Sequence, residues 1–156
     1  MKFSTQTDAA MKICLYLEVH RERLVSRFEI AHAIDLGHAT VQRLLADLAE
    51  ANVVEARRGR YGGTRLARQL KHVNVAELIA LGESEGWQFT ECDRRADCNC
   101  LMAGDCTLNA MFRQFQASFM QMAEGWNMSD LLNEHVVENA QRKAMEWSER
   151  NPNPHE

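Results

Sequence analysis

The chain has 156 residues, 46% of them hydrophobic and 26% charged, with a formal net charge of −4, which is enough to bury one respectable core. No apolar run reaches about 18 residues, which excludes a membrane-spanning helix. The negative sum argues against a nucleic-acid binder only until it is divided: residues 1–72 carry 12 Lys and Arg against 8 Asp and Glu, whereas residues 73–156 carry 6 against 14. A basic half and an acidic half therefore do different jobs. The opening MKFSTQTDAAMK has no apolar stretch of the kind that marks a secretory leader, so a cytoplasmic location is expected.

Ser4 or Thr5 caps a first helix whose apolar face is Ala10, Ile13, Cys14 and Leu17, at helical spacing. Cys14 on that face reads as a small buried hydrophobe. On spacing alone, Asp8 in the first turn reads as a carboxylate that completes the positive end of the helix. Ser26 to Glu29 reads as a capping box that starts a short helix through Ile34, followed by the turn Asp35-Leu36-Gly37 and a second helix from His38. That helix buries Val41, Leu44, Leu45 and Leu48, leaving His38, Thr40, Gln42 and Arg43 available. Two short helices around a tight turn read as a helix-turn-helix, with an ordinary helical hairpin as the alternative.

Asn52 is a left-handed stop, Val53 to Ala56 reads as a strand and Thr64 to Ala67 as its return. Between them lies Arg57-Arg58-Gly59-Arg60-Tyr61-Gly62-Gly63. Its glycines permit a tight tip, its arginines suit phosphates or the minor groove, and Tyr61 can pack on sugar. A charged hairpin tip is often only a solvated turn, but directly after a helix-turn-helix it reads as the wing of a DNA-binding domain, with His38, Thr40, Gln42, Arg43, Arg58, Arg60, Tyr61 and Gly62 as the candidate contacts.

Val73 to Leu78 opens another helix, with Asn74 and Glu77 as a capping box and Val73 meeting Leu78 as a hydrophobic staple; Gly82 and Gly86 end it. Four of the five cysteines then crowd into one stretch, at Cys92, Cys98, Cys100 and Cys106, separated by five, one and five residues. Clustered soft thiolates select an iron–sulfur cluster, zinc or cuprous copper. The paired knuckles of structural zinc sites are missing, and disulfides would need an oxidising compartment. The stretch reads as a metal-cluster loop, with zinc and redox-sensing thiols as the alternatives.

After Cys106, Leu108, Met111, Phe112, Phe115, Phe119, Met122 and Trp126 recur at steps of three and four. A stripe that size can fold back onto its own domain, but a long helix leaving a small winged domain more often pairs with its twin, so a dimer is expected. A homodimer also suits operators with two-fold symmetry on double-stranded DNA. Asn127 to Asp130 caps a last helical segment holding Leu131, Leu132, Val136 and Val137, and the tail from Asn151 is expected to be disordered. No arrangement of Ser, His, Asp or paired carboxylates reads as catalytic, so an enzyme is not expected.

With these elements in this order, residues 1 to about 137 resemble the IscR/NsrR/RirA family of iron–sulfur transcription regulators. The resemblance is carried by the opening Met1 to Asp8, the wing Arg58 to Leu66, and the cysteine loop. It is nearest to the nitric-oxide-sensing NsrR branch, whose three cysteines, separated by seven and then five residues, match Cys92, Cys100 and Cys106 here. The resemblance implies that these three hold an iron–sulfur cluster, 4Fe–4S favoured and 2Fe–2S the other option. It further implies that Asp8 of the partner subunit supplies a fourth ligand. Cys98 is an extra thiol that departs from this pattern and permits other ligand sets, Cys92 and Cys98 with Cys106 or four thiolates without Asp8. The segment Trp126 to Leu132 looks like the family's aromatic-Thr-Leu-x-Asp-Leu stretch, with Asn127 in place of the threonine. His38-Ala39-Thr40 departs from the longer polar residues of the branch, so no operator sequence carries over.

The implied function is a dimeric repressor whose cluster senses nitric oxide and controls operator binding. The alternatives are an iron- or cluster-status sensor of the RirA/IscR type, or a zinc- or cluster-binding redox or electron-transfer protein without DNA binding. The expected fold is mainly α with a small β-wing. It divides into a winged helix-turn-helix domain at 1–82, a cluster loop at 83–106, a dimerisation helix and following segment at 107–137, and a partly disordered C-terminal arm at 138–156.

Overall fold

A computed structural model describes residues 3–59, 61–84, 86–90, 99–103 and 105–152. Helix α1 (Thr5–Val19) starts at Ser4, whose side chain accepts from Thr7 N–H, and it buries the expected Ala10, Ile13, Cys14 and Leu17. α2 (Arg27–Ile34) is capped by Ser26, and α3 (His38–Glu50) buries Val41, Leu44, Leu45 and Leu48. These three helices share one core, in which Ile13, Leu17, Ile30, Leu44 and Leu48 are among the largest fully buried side chains.

The turn between α2 and α3 departs from the glycine-based expectation. Its left-handed residue is Asp35, at φ 54°, while Gly37 has φ −61° and serves as the α3 N-cap. A short polar side chain tolerates that region. The Asp35 and Leu36 N–H groups meanwhile bond His32 and Ala31 carbonyls, which closes α2.

Strands β1 (Val54–Arg57) and β2 (Gly63–Leu66) pair antiparallel, with Val54 opposite Leu66 and Arg57 opposite Gly63. Each is displaced by one residue from the expected span. Val25 adds a bridge to the outer side of β2, exchanging both backbone hydrogen bonds with Thr64 at 2.9 and 2.8 Å. Asn52 takes φ 55°, as its stop role requires.

α4 (Val75–Gly82) begins at Asn74, whose carbonyl oxygen accepts from Ala76 N–H at 2.8 Å. Glu77 does not complete a capping box; it pairs with Arg68. Glu29 likewise leaves the α2 cap to Ser26 and turns into the core, accepting from Tyr16 Oη at 2.8 Å and from Arg23 Nη1 at 2.9 Å. A buried carboxylate so supplied with donors ties α1 to α2.

α5 (Thr107–Glu124) packs on α4 through Ala76, Ile79 and Ala123, with Phe3, Trp87 and Phe119 around them. Val75 N–H bonds Trp126 O at 2.9 Å and Met128 N–H bonds Val73 O at 2.8 Å, pinning the end of α5 to the start of α4. A 3₁₀ turn (Met128–Leu131) follows, where Asn127 N–H donates to Asp130 Oδ2 at 2.8 Å. The last helix, α6 (Glu134–Arg150), runs through residues expected to form a partly disordered arm. It packs against α1 and α2, with Ala140 buried and His32 lying against Trp147. Among the described residues, no helix is long and apolar enough to cross a membrane.

Candidate functional site

The candidate DNA contacts fall on two elements. His38, Gln42 and Arg43 are exposed on the outer face of α3, and Thr40 is half-buried. The His38 ring lies 5.5 Å from that of Phe28, a residue of α2 that is 46% exposed despite its apolar character. On the wing, Arg58 is exposed and Tyr61 is 73% exposed, while Arg60 lies outside the described residues. Gly62 is fixed by crowding: a Cβ there would sit 2.2 Å from Arg57 O and 2.9 Å from Gly59 O. Gly59, at φ 113°, supplies the backbone reversal that any other residue would find strained.

One contact on this surface was not foreseen. Arg27, the first residue of α2, donates from Nη1 to Gln42 Oε1 of α3 at 2.8 Å, with its guanidinium carbon 4.8 Å from the centroid of the Phe28 ring. Nothing in local periodicity pairs residues 15 apart in separate helices.

Towards the cysteine loop the chain climbs α5 from its C-terminal half to its start. Trp87 lies against Phe119 with ring centroids 5.5 Å apart, Phe89 stacks on Phe112 at 5.4 Å, and Asn109 Nδ2 donates to Thr90 Oγ1 at 3.2 Å. The loop is thus closed at its base, between Thr90 and Asn109, beside the N-terminus of α5. Cys106 is the N-cap of that helix, and its sulfur accepts from Asn109 N–H at 3.4 Å. Cys100 is exposed, and its sulfur accepts from Met102 N–H at 3.3 Å. Both thiols are free.

Free, accessible sulfurs with backbone N–H groups aimed at them fit an iron–sulfur cluster, in which such hydrogen bonds stabilise the negative charge on sulfur. Cys92 and Cys98 lie outside the described residues. Among the described residues no group of three or more His, Cys, Asp or Glu side chains is gathered in metal-binding geometry. Cys14, the fifth cysteine, is fully buried in the core, and burial pushes its thiol up to about 12.

Asp8 does not cap its helix. It lies on the outer face of α1, more than half exposed, and pairs with Lys12 at 2.6 Å. The positive end of α1 is served by Glu83, one residue past α4. Its Oε1 accepts from Ser4 N–H at 2.7 Å and from the Thr7 hydroxyl at 2.6 Å. Burial raises the Glu83 carboxyl, but the hydrogen bonds from Thr7, Ser4 and Trp87 outweigh it and hold the group below the usual carboxylate range. Gly82 lets the two helices meet, since a Cβ there would be 2.2 Å from Thr7 Oγ1. Spacing along the chain offered no signal for this lock, because its halves are more than 70 residues apart.

The α5 stripe divides in two. Phe112 and Phe119 are covered by Phe89 and Trp87, whereas Met111, Phe115 at 57%, Met122 at 65% and Trp126 remain exposed. Large apolar side chains left open in a row on one helix face are more than the single exposed hydrophobics an ordinary surface carries.

Known proteins share this architecture. The chain is similar to the HTH-type transcriptional repressor NsrR of Streptomyces coelicolor, 30% identical over 135 residues, spanning 85% of this chain and 88% of that protein. The HTH-type transcriptional regulator NsrR of Shouchella clausii is 26% identical over 133 residues, spanning 85% and 89%. In fold, it matches the IscR structure from T. potens, with a TM-score of 0.62 at 22% identity over 84% of this chain and 85% of that one. It also matches CymR, the global cysteine regulator of B. subtilis, with a TM-score of 0.61 at 19% identity over 84% and 95%. Residues 3–134 match the family model of Rrf2, described as an iron-dependent transcriptional regulator. The chain therefore belongs to the Rrf2 family of transcriptional regulators, DNA-binding proteins rather than enzymes.

Proposed function

We propose that the chain is a cytoplasmic, homodimeric repressor that holds an iron–sulfur cluster and loosens its grip on a two-fold operator when nitric oxide is present. The observation that carries this reading is the position of Cys106. It caps the helix that bears the open apolar stripe, so a loop thiol and the surface available to a second copy belong to one rigid element. The likeness to NsrR supports the choice of signal, through the spacing of Cys92, Cys100 and Cys106.

In this reading Cys92, Cys100 and Cys106 hold the cluster, 4Fe–4S in preference to 2Fe–2S, with Asp8 of the partner subunit as fourth ligand. Cys98 is the thiol left over. Bound there, the cluster supplies an iron with one hard, readily displaced oxygen ligand, open to a small molecule such as nitric oxide. Lys12 offers the Asp8 carboxylate an alternative partner within its own helix. α1 packs on α4 and touches α2, α3 and β2, so whatever holds or frees Asp8 acts on the helix against which the DNA-reading elements rest. Residues 1–82 read DNA, 83–106 carry the cluster, and 107–137 join the two copies.

The test is anaerobic purification, with absorbance, iron and sulfide measured per chain, then titration with nitric oxide while fluorescence anisotropy follows promoter DNA. About four irons and four sulfides per chain, with bleaching and DNA release in step, are the expected result. A colourless zinc protein, or a cluster indifferent to nitric oxide, refutes it. A second reading, iron supply as the signal, is favoured by the family's description as iron-dependent. It requires chelation to abolish DNA binding under conditions where nitric oxide does nothing.

A further inference from the structure

Resting on the reading of α3 as the recognition helix, a sharper statement about base readout follows from the contact between Arg27 and Gln42. Arg27 presents donors and no acceptor, so the group of the Gln42 amide that faces it must be the carbonyl oxygen, whichever way the amide is drawn. The guanidinium is steadied in turn by the Phe28 ring at 4.8 Å, and that ring by His38 at 5.5 Å. Gln42 and Arg27 are both exposed on the outer surface of the helix-turn-helix.

We propose that Arg27 is a positioning residue for sequence recognition: it turns the Gln42 carbonyl inward and leaves the amide NH₂ as the outward-facing group. An outward NH₂ needs an acceptor on the base edge, which purine N7, guanine O6 or thymine O4 provides in the major groove. The cytosine edge offers its N4 donor instead and is rejected. At the base position met by Gln42 the protein therefore distinguishes G·C from C·G. The remaining guanidinium N–H groups of Arg27 stay available for a backbone phosphate, so one side chain links backbone register to base choice.

The experiment selects bound duplexes from a randomised library with the full-length, anaerobically purified protein. Wild type, Gln42→Ala, Arg27→Ala, Arg27→Lys and the Arg27/Gln42 double alanine variant are compared, each checked for folding by circular dichroism. Wild type is expected to exclude cytosine at one position of each half-site by about tenfold or more, the scale of a good base contact. Gln42→Ala flattens that position, Arg27→Ala flattens the same position, and the double variant flattens it no further. Arg27→Lys retains part of the preference, because an ammonium still donates to the carbonyl. If Arg27→Ala weakens all sequences equally and the Gln42-dependent preference survives, Arg27 is a phosphate anchor alone and the proposal falls. If Gln42→Ala leaves every position unchanged, Gln42 meets no base and the proposal falls; if the wild-type protein selects no sequence at all, the recognition-helix reading falls.

Discussion

Thr7→Val is the most direct probe of the joint between α1 and α4. It keeps the shape of a fully buried side chain and deletes one hydroxyl, the one that donates to Glu83 Oε1 at 2.6 Å. Hydrogen bonds to charged groups contribute roughly 1.5–3 kcal/mol; Glu83 is only half-buried, which sets the expected loss at the low end, about 1.5 kcal/mol. The sign of the pH dependence follows from the lowered Glu83 carboxyl, whose stabilising effect is present above its unfolded value and lost as pH falls through its folded one. Urea unfolding of the full chain, followed by circular dichroism, should show a lower midpoint at neutral pH with an unchanged slope. The gap between variant and wild type should then narrow in acid. Equal stability at neutral pH, or a deficit that persists unchanged in acid, refutes the reasoning. Gly82→Ala probes the same joint sterically: its Cβ would lie 2.6 Å from Thr7 Cα, and forcing the helices apart costs about 1–3 kcal/mol.

The other expectations are independent of that joint. Phe115→Glu, on the open stripe of α5, should leave the helical circular dichroism of the native protein unchanged while sedimentation shows monomers; an intact dimer refutes the interface. Asp8→Ala removes an exposed ion pair worth under about 1 kcal/mol, so stability should barely move while the cluster's visible spectrum and its response to nitric oxide change. An unchanged spectrum and response remove Asp8 from the ligand set. Brief alkylation of the metal-free native protein at pH 8 should modify Cys100 and spare Cys14, whose thiol is pushed up to about 12 by burial; modification of Cys14 without unfolding would contradict its place in the core. Arg58→Ala should weaken DNA binding evenly across sequences and lower the salt slope by about one, and a change in base preference would show that it does not merely meet phosphate.

What could be read from the sequence is what short-range periodicity controls. The buried faces of α1 and α3, the Ser26 and Asn74 caps and the left-handed Asn52 all depend on neighbours within a turn or two. The expected capping boxes failed at Glu29 and Glu77 because each carboxylate met a cation from another element, Arg23 and Arg68. A charge-assisted pair is stronger than a return to the helix's own N–H. α6 extends well beyond the expected segment; its apolar residues, Val136, Val137, Ala140, Ala144 and Trp147, are diluted by charge along the chain. Ala140 is buried and the others half-buried, through contacts with α1 and α2 that exist only in the folded chain. Thr7, Gly82 and Glu83, and likewise Arg27 with Gln42, pair residues that share no helix, so no spacing rule reaches them.

These long-range contacts also give the proposed switch a physical route. α1 carries Asp8 on its outer face, receives Glu83 at its N-terminus, and sends Tyr16 to Glu29 of α2. α2 in turn reaches α3 through the Arg27–Gln42 contact as well as through the shared core. Each step in that series is a packed or hydrogen-bonded side chain. In the proposed switch, a pull on Asp8 would reach α3 through these contacts. On the other side, Trp87 and Phe89 fasten the start of the cysteine loop along α5, whose open face would receive a second copy in the proposed dimer. Glu83 belongs to both sides, because it holds the N-terminus of α1 and lies four residues before Trp87, which also donates to it. Placing one carboxylate between the helix that would supply a ligand and the segment that leads to the thiols makes the spacing between them a property of the fold. Ligand exchange at the cluster would then change how two such folds are joined, while leaving each one intact.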